Sequence, residues 1–365
     1  MRWAGRYCSP IVGAEHLVTR ERVALYDMTT LKKVEVTGPG ALAFLQKLTT
    51  GNMDKPVGSI TYTLMLDYGA GIKSDITVAR LGPNRFQVGC NGPLDVDWLL
   101  RHLPADGSVQ VRDITSGVCC IGVWGPRARD LVQPLSTADL SEAGPAEGGS
   151  KSFLPRFFRA KEIFLREVPV TALRLSYVGE LGWELYTPSE FGLRLWDLLW
   201  EAGQPLGVIA GGRGAFDGLR LEKGYRSYGK DMWTEHDPFE SGLGFAVSLA
   251  KDDFIGRDAL LRRKAEGPRH CLTCLTLDNP SLVVMGNEPV YAGDRPVGFV
   301  TSAAYGYTIG RGIAYAWLLP EFSAVGAAPL HIEYFGERLA ATVAREPLFD
   351  PTMERMRSKV MSATV

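Results

Sequence analysis

Two carboxylates stand where their neighbours bear on their chemistry. Asp75, in Gly71-Ile-Lys-Ser-Asp75, lies between the apolar Ile72, Ile76 and Val78. That setting would desolvate the carboxylate and make it need a hydrogen-bonded partner; a turn aspartate is the plainer reading. Glu184 sits in Trp183-Glu-Leu-Tyr186, where the residues alone equally describe an exposed strand glutamate. Other chemical spacings fail on inspection. Cys271-Leu-Thr-Cys274 has CxxC spacing, but in a strand-like alternation residues three apart point to opposite faces. No second CxxC or spaced histidine pair completes a tetrahedral set, so both cysteines are expected to be structural and no metal site is expected. Gly212-Arg-Gly214 is followed next by Gly218, so the dinucleotide GxGxxG is not met. Neither a Walker A loop nor a GxSxG elbow occurs. None of His16, His102, His236, His270 and His331 stands at helical ligand spacing from another, which leaves most of them surface or structural.

The elements that must carry these residues show an internal echo. Val36, Gly38, Pro39, Ala41, Phe44, Gln46 and Leu48 return as Val123, Gly125, Pro126, Ala128, Leu131, Gln133 and Leu135, every pair offset by 87 residues. Each copy reads as a short strand, a Gly-Pro turn with Pro at the first helical position, and an amphipathic helix. Two related α/β lobes follow, with a cleft between them as a natural ligand site. Between Ser136 and Arg159 the chain is polar and rich in Gly, Pro, Ser and Glu, a surface connection. Ala172–Tyr177 and Trp183–Tyr186 read as strands around a Gly179/Gly182 turn, and Ser189 as the cap of a helix presenting Phe191, Leu195, Leu198 and Leu199. From His270 onward short alternating strands predict a small β-rich, barrel-like domain. At 365 residues the chain has room for two domains, or three if one is small. With 40 Lys plus Arg against 41 Asp plus Glu, a broad phosphate-binding surface has no electrostatic support, so nucleic acid is not expected as a partner. No apolar run long enough to cross a bilayer and no secretory h-region are apparent, and six sparse cysteines do not make a disulfide framework. A cytoplasmic protein with reduced thiols is expected.

Four segments, taken together, carry a resemblance. Leu25-Tyr-Asp27 leading into VEVTGPGA, Tyr62–Val78 (YTLMLDYGAGIKSDITV), Tyr177–Glu184 (YVGELGWE) and Leu219–Asp231 (LRLEKGYRSYGKD) occur in register with the terminal PVGFVTSAAY and PLFDPT. Spanning nearly the whole chain, they resemble the aminomethyltransferase family of the glycine cleavage system and its tetrahydrofolate-dependent relatives, which include demethylases and the folate-binding halves of dimethylglycine and sarcosine oxidases. The resemblance implies an α+β, three-domain cloverleaf: a folate-binding body over residues 1–265 made of two related α/β lobes, and a C-terminal β-barrel-like domain over 266–365. It implies tetrahydrofolate in a central channel, with Asp75 at the aspartate that meets the reactive part of the pterin, and Tyr62, Asn91, Tyr177, Glu184 and Tyr225 on positions that line the folate. Residue chemistry agrees for Glu184, because one carboxylate can accept both the 2-amino and N3 donors of a pterin edge as a planar pair. Tyr62, Tyr177 and Tyr225 read equally as core aromatics with one wet end. Arg220 would either steer a folate glutamate tail or form a helix-surface salt bridge to Asp217 or Glu222.

Two departures bear on the substrate. Phe216 stands where the glycine-cleavage enzymes carry an Arg, four residues before the Arg matched by Arg220, and Met28-Thr-Thr-Leu31 replaces their Val-Ser-His-Met. Both favour the demethylase or oxidase-associated branch. Lys223-Gly224 is followed by Tyr225 rather than Cys, which separates the chain from the folate-binding iron-sulfur maintenance proteins. The expected function is therefore transfer of a methyl group from a small methylated substrate to tetrahydrofolate, giving 5-methyltetrahydrofolate. The rivals are the glycine-cleavage aminomethyltransferase with a lipoyl-protein partner, the one-carbon subunit of an amine oxidase beside a flavoprotein, and a non-catalytic folate-binding protein.

Overall fold

The computed structural model describes residues 9–140 and 158–357. Most of the polar connection after Ser136, and Cys8, lie outside them. Helix α1 (Pro10–Glu21) begins at Ser9, whose hydroxyl accepts from the Val12 amide, with Pro10 at the first helical position. It leads through β1 (Ala24–Asp27) into the first lobe, built from β2 (Lys32–Thr37), α2 (Ala41–Leu48), β3 (Ile60–Leu66), β4 (Ile72–Gly82), β5 (Arg85–Cys90), α3 (Pro93–Arg101) and β6 (Gln110–Asp113). The second lobe comprises β7 (Val118–Trp124), α4 (Ala128–Val132), β8 (Arg159–Leu165), β9 (Val168–Arg174), β10 (Gly182–Pro188), α5 (Gly192–Gly203), β11 (Ile209–Ala210) and α6 (Arg213–Glu222). After α7 (Arg257–Glu266) come β12 (Cys271–Leu277), β13 (Pro289–Ala292), β14 (Arg295–Gly306), β15 (Arg311–Leu318), β16 (Leu330–Tyr334) and β17 (Glu337–Val343).

The first lobe is a five-stranded sheet in the order β3-β4-β5-β2-β6, and the second a six-stranded sheet, β11-β1-β7-β10-β9-β8. The last six strands close into a barrel, β12-β15-β14-β13-β16-β17. The internal echo is real in three dimensions. Gly38 and Gly125 have φ of +114° and +142°, and each accepts a turn hydrogen bond, from the amides of Ala41 and Ala128, at 3.0 Å. A Cβ at either would meet a backbone carbonyl, Ser108 O at 2.3 Å or Arg22 O at 2.2 Å, so only glycine lets the strand turn into its helix here. The prolines lie outside the helices, contrary to the sequence expectation: α2 is capped by Gly40 and α4 by Arg127, one residue after Pro39 and Pro126. Ser189 also differs, since it opens a 3₁₀ turn running into α5 and makes no side-chain cap.

Each body has its own core: Val34, Phe44, Ile76 and Phe86 in the first lobe, Leu131, Trp183, Leu185 and Leu199 in the second, Leu275, Val300 and Ile332 in the barrel. Between the lobes Ile60 and Ala79 pack against Tyr26, Cys120, Trp124 and Leu173. Helix α6 is the element all three share. Phe216 and Leu219 enter the interlobe core, while Leu221 packs on Leu272, Tyr315 and Trp317 of the barrel. In β12 Cys271 is half-buried and Cys274 buried, on opposite faces of the strand. Among the described residues no helix is long and apolar enough to cross a membrane.

Candidate functional site

Three neighbouring strands bring Tyr62, Asp75 and Asn91 together. In β4 burial alternates, with Ile72, Ser74, Ile76 and Val78 buried and Lys73, Asp75 and Thr77 on the opposite, half-buried face. Ile76 and Val78 thus point away from Asp75 into the first-lobe core and do not desolvate it. Tyr62 pairs with Thr77 across β3 and β4, which makes it the diagonal neighbour of Asp75 on the same face. Thr77 also pairs with Gly89 of β5, so two further residues along, just past the end of that strand, Asn91 stands abreast of Asp75. The Tyr62 hydroxyl donates to Asp75 Oδ2 at 3.0 Å, and Asn91 Nδ2 donates to Asp75 Oδ1 at 2.9 Å. Burial raises the Asp75 pKa above the ordinary carboxylate value, against the opposing pull of these two hydrogen bonds. The Tyr62 ring lies parallel to exposed Phe245, centroids 6.0 Å apart.

Glu184 anchors a second cluster. It is only 8% exposed, on β10 opposite Gly122 of β7, and accepts a 2.5 Å hydrogen bond from the Tyr186 hydroxyl at Oε2. Burial pushes its pKa up to about 7, against the Tyr186 hydrogen bond and the nearby Lys33 charge. Lys33, 1% exposed, belongs to β2 of the other lobe. Its ammonium donates to Thr29 O and Leu31 O, both at 2.8 Å, and so pins the Met28–Leu31 turn. A lysine that follows another lysine at the start of a strand gives no sign of this role, because the turn it ties lies two to four residues upstream.

The remaining sequence candidates sit around α6. Tyr177 donates its hydroxyl to Arg226 O, and its ring stacks on Phe216 at 5.2 Å and faces Tyr225 at 5.8 Å. Phe216 is thereby part of an aromatic cluster in which the rings of Tyr26 and Trp124 tilt against it. Tyr225 donates to Met356 Sδ at 3.6 Å. Of the two bridges expected of it, Arg220 makes a long one to Asp217 and none to Glu222, and it is buried rather than on the helix surface. Only 1% exposed, it donates to Asp231 Oδ2 at 2.5 Å, Tyr225 O at 3.0 Å and Ser302 Oγ at 2.8 Å, while Asp217 Oδ1 stands 3.8 Å from its Nε. Glu222 faces elsewhere, accepting from Arg20 and the Thr308 amide beside His16. Asp231 lies eleven residues beyond Arg220, across a turn, which is why helical spacing could not reveal the pair. A cavity of about 480 Å³ opens beside Arg220, lined among others by Asp217, Lys230, Trp233, Asn287 and Phe299. Burial raises the Tyr177 pKa, and the charges of Arg220, Asp75, Asp231 and Asp217 all lie near enough to act on it.

A reduced pterin presents adjacent N–H donors, and the donor and acceptor set fits it. Among the described residues Glu184 accepts from Tyr186 alone and so retains acceptor capacity, Asp75 is a desolvated carboxylate, and Tyr177 and Phe216 offer flat apolar faces.

A fold of two α/β lobes and a closed barrel, with Asp75 and Glu184 each held by a tyrosine hydroxyl, has its counterpart among known families. The GCVT N-terminal domain matches residues 2–251 and the glycine cleavage T-protein C-terminal barrel domain residues 270–350. The chain belongs to the glycine cleavage T-protein family, a family of folate-dependent one-carbon enzymes. It is 36% identical over 349 residues to 4-methylaminobutanoate oxidase (formaldehyde-forming) of Paenarthrobacter nicotinovorans, covering 95% of this chain and 41% of the oxidase. It is 34% identical over 343 residues to the aminomethyltransferase of Symbiobacterium thermophilum, covering 92% of this chain and 88% of that one. The crystal structure of glycine cleavage system aminomethyltransferase T from Bartonella henselae superposes with a TM-score of 0.80 over 93% of this chain and 90% of that one, at 24% identity, and so shares its fold. The chain thus spans about two fifths of the length of the oxidase and most of the length of the aminomethyltransferase.

Proposed function

We propose that the protein is a tetrahydrofolate-dependent one-carbon transferase that takes a methyl group from a small methylated substrate and yields 5-methyltetrahydrofolate. The observation that carries this reading is the convergence of Tyr62, Asp75 and Asn91 on one face of three adjacent strands. Bound tetrahydrofolate would supply N5 as the nucleophile, the methyl–heteroatom bond of the substrate breaking as the N5–methyl bond forms and its electron pair departing with the demethylated substrate. Glu184 would accept the paired N–H donors of the pterin edge, and the Tyr177–Phe216 stack with Tyr225 would bound the aromatic part of the ligand. Asp75, fixed through both carboxylate oxygens, would stabilise positive charge developing at the pterin and take up the proton lost there; its raised pKa suits a group that must accept one. Tyr62 and Asn91 hold that carboxylate in place, so catalysis rests on positioning and electrostatics. In this reading residues 1–265 supply the site and the barrel domain over 266–365 closes it through α6.

A second reading has its own support. The oxidase relative extends well beyond the matched region, which favours a one-carbon acceptor working beside a flavoprotein that delivers formaldehyde or an iminium. Mass spectrometry of folate products separates the readings. Incubation with methyl ethers, sulfonium compounds and methylated amines should give 5-methyltetrahydrofolate. Methylenetetrahydrofolate formed only in the presence of a flavoprotein or lipoyl-protein partner would instead select the oxidase-associated or glycine-cleavage reading. Tight folate binding without any product would leave a binding protein.

A further inference from the structure

Behind the Asp75 cluster lies a second carboxylate that the reaction does not touch. Asp95, 2% exposed in the first turn of α3, gathers three donors on one oxygen: Ser74 Oγ at 2.8 Å, the Asn91 amide at 2.8 Å and the Gly92 amide at 3.4 Å. Ser74 is fully buried on the core side of β4, immediately before Asp75. Its hydroxyl has one proton, and the short contact to a carboxylate claims it; its other acceptor, Asp75 O, is 3.5 Å away. The Ser74 oxygen therefore has only lone pairs to offer Asn91, as does the Asp75 carboxylate. Both demand the amide nitrogen, and Asn91 Nδ2 reaches Ser74 Oγ at 2.9 Å, Asp75 O at 2.8 Å and Asp75 Oδ1 at 2.9 Å. Reversing the amide would set its carbonyl against three acceptors. Asn91 is exposed, and among the described residues Oδ1 accepts nothing.

We infer that Ser74 and Asp95 are positioning residues that lock the Asn91 carboxamide in one sense, turning Nδ2 inward to hold Asp75 and Oδ1 outward as an acceptor for an N–H group of the reduced pterin. This rests on the folate site proposed above. The chain of command runs from the acceptor-only carboxylate of Asp95 through the single Ser74 proton to the amide. Neither Ser74 nor Asp95 touches the ligand.

A double-mutant cycle read by calorimetric titration with tetrahydrofolate tests the coupling. Ser74→Ala should weaken binding roughly tenfold, the effect of one net hydrogen bond on a dissociation constant, but less than twofold when introduced into Asn91→Ala. Equal losses in both backgrounds, or no loss in the wild-type background, would overturn the inference while leaving the folate site intact. A ligand-free arm keeps the two separable. In protein labelled with ¹⁵N-asparagine, the Asn91 side-chain protons should exchange slowly in the wild type and quickly in Ser74→Ala. Rapid exchange in the wild type overturns the lock. Failure of wild-type protein to bind tetrahydrofolate strikes the proposed function, and slow wild-type exchange that Ser74→Ala abolishes would then still support the lock.

Discussion

Glu184 is a buried carboxylate and Asp75 a half-buried one, and their surroundings give them different tasks. Glu184, with a pKa near 7 against an ordinary 4.5, binds a proton in the folded protein that it releases when unfolded. Since the folded state holds more protons between those values, stability falls as pH rises from about 4.5 through about 7, by up to roughly 3 kcal/mol. Glu184→Gln should therefore melt higher than wild type at pH 8 and equally at pH 4.5, in parallel thermal scans. The same substitution should weaken tetrahydrofolate binding by roughly 1.5 to 3 kcal/mol, the worth of a charge-assisted pair. Wild-type binding should release a proton below pH 7, visible as buffer-dependent heat in calorimetry. An unaltered affinity in the variant would remove Glu184 from the pterin site. At Asp75 the expected loss is kinetic. Asp75→Asn keeps the shape, so folate affinity should persist while the single-turnover rate falls by roughly two to three orders of magnitude. Because the Asp75 pKa is raised, the wild-type rate should decline on the acid side at a higher pH than an ordinary carboxylate allows, and the variant should lack that limb. Equal losses of affinity and rate would assign Asp75 to positioning. Both carboxylates could be picked from the sequence; what held them could not. Ser74, Lys33 and Asp95 are ordinary strand and helix residues until the sheet brings them together.

At the scale of elements, the repeated strand, glycine turn and helix is the device that builds both lobes. Gly125 has a φ of +142° and a Cβ there would lie 2.2 Å from Arg22 O, so Gly125→Ala combines a strained backbone with a clash against main chain that cannot swing aside. A loss of about 2 to 3 kcal/mol is expected in urea denaturation. Gly117→Ala, with nothing within 4 Å of the added carbon, should change stability little by the same measurement. Similar values for the two would show that the turn tolerates a side chain. The echo was legible because glycine at positive φ is a local requirement that leaves its mark at a fixed place in the sequence. The misplaced helix starts, at Pro39 and Pro126 and at Ser189, arose because proline and serine suit several positions around a helix end equally well.

Over the whole molecule, buried ion pairs tie the N-terminal helix, the lobes and the segment after the barrel into one body. Glu180, fully buried, accepts from Arg20 Nη1 at 3.1 Å and from Arg355 Nε at 3.0 Å, while Lys223 reaches Asp350 at 3.0 Å. Arg220 and Asp231 add a further pair beside the barrel residue Ser302. Removing one member strands the other charge, which costs far more than the pair itself contributes. Glu180→Gln, however, leaves Arg20 paired with Glu222 and Arg355 partly open to solvent, so the expected loss is the smaller one of its charge-assisted hydrogen bonds, about 1.5 to 3 kcal/mol in equilibrium unfolding. A change below 1 kcal/mol would mean that solvent reaches the freed guanidinium groups.

The sequence by itself determined the lobes, the barrel and the carboxylate candidates, because strand alternation, glycine turns and helix periodicity are local and repeat along the chain. It also carried the family resemblance, since short segments kept their order and spacing. Only the tertiary structure decided what those residues touch. Arg220 turned from a helix-surface residue into a buried partner of Asp231, and Lys33 from a strand lysine into a charge beside Glu184. Asn91 acquired its amide sense from Ser74 and Asp95, 17 residues before it and four after. Such contacts depend on sheet register and on the packing of α6 between three bodies. Neither leaves a periodic trace, because a hydrogen bond across strands is set by where the chain returns.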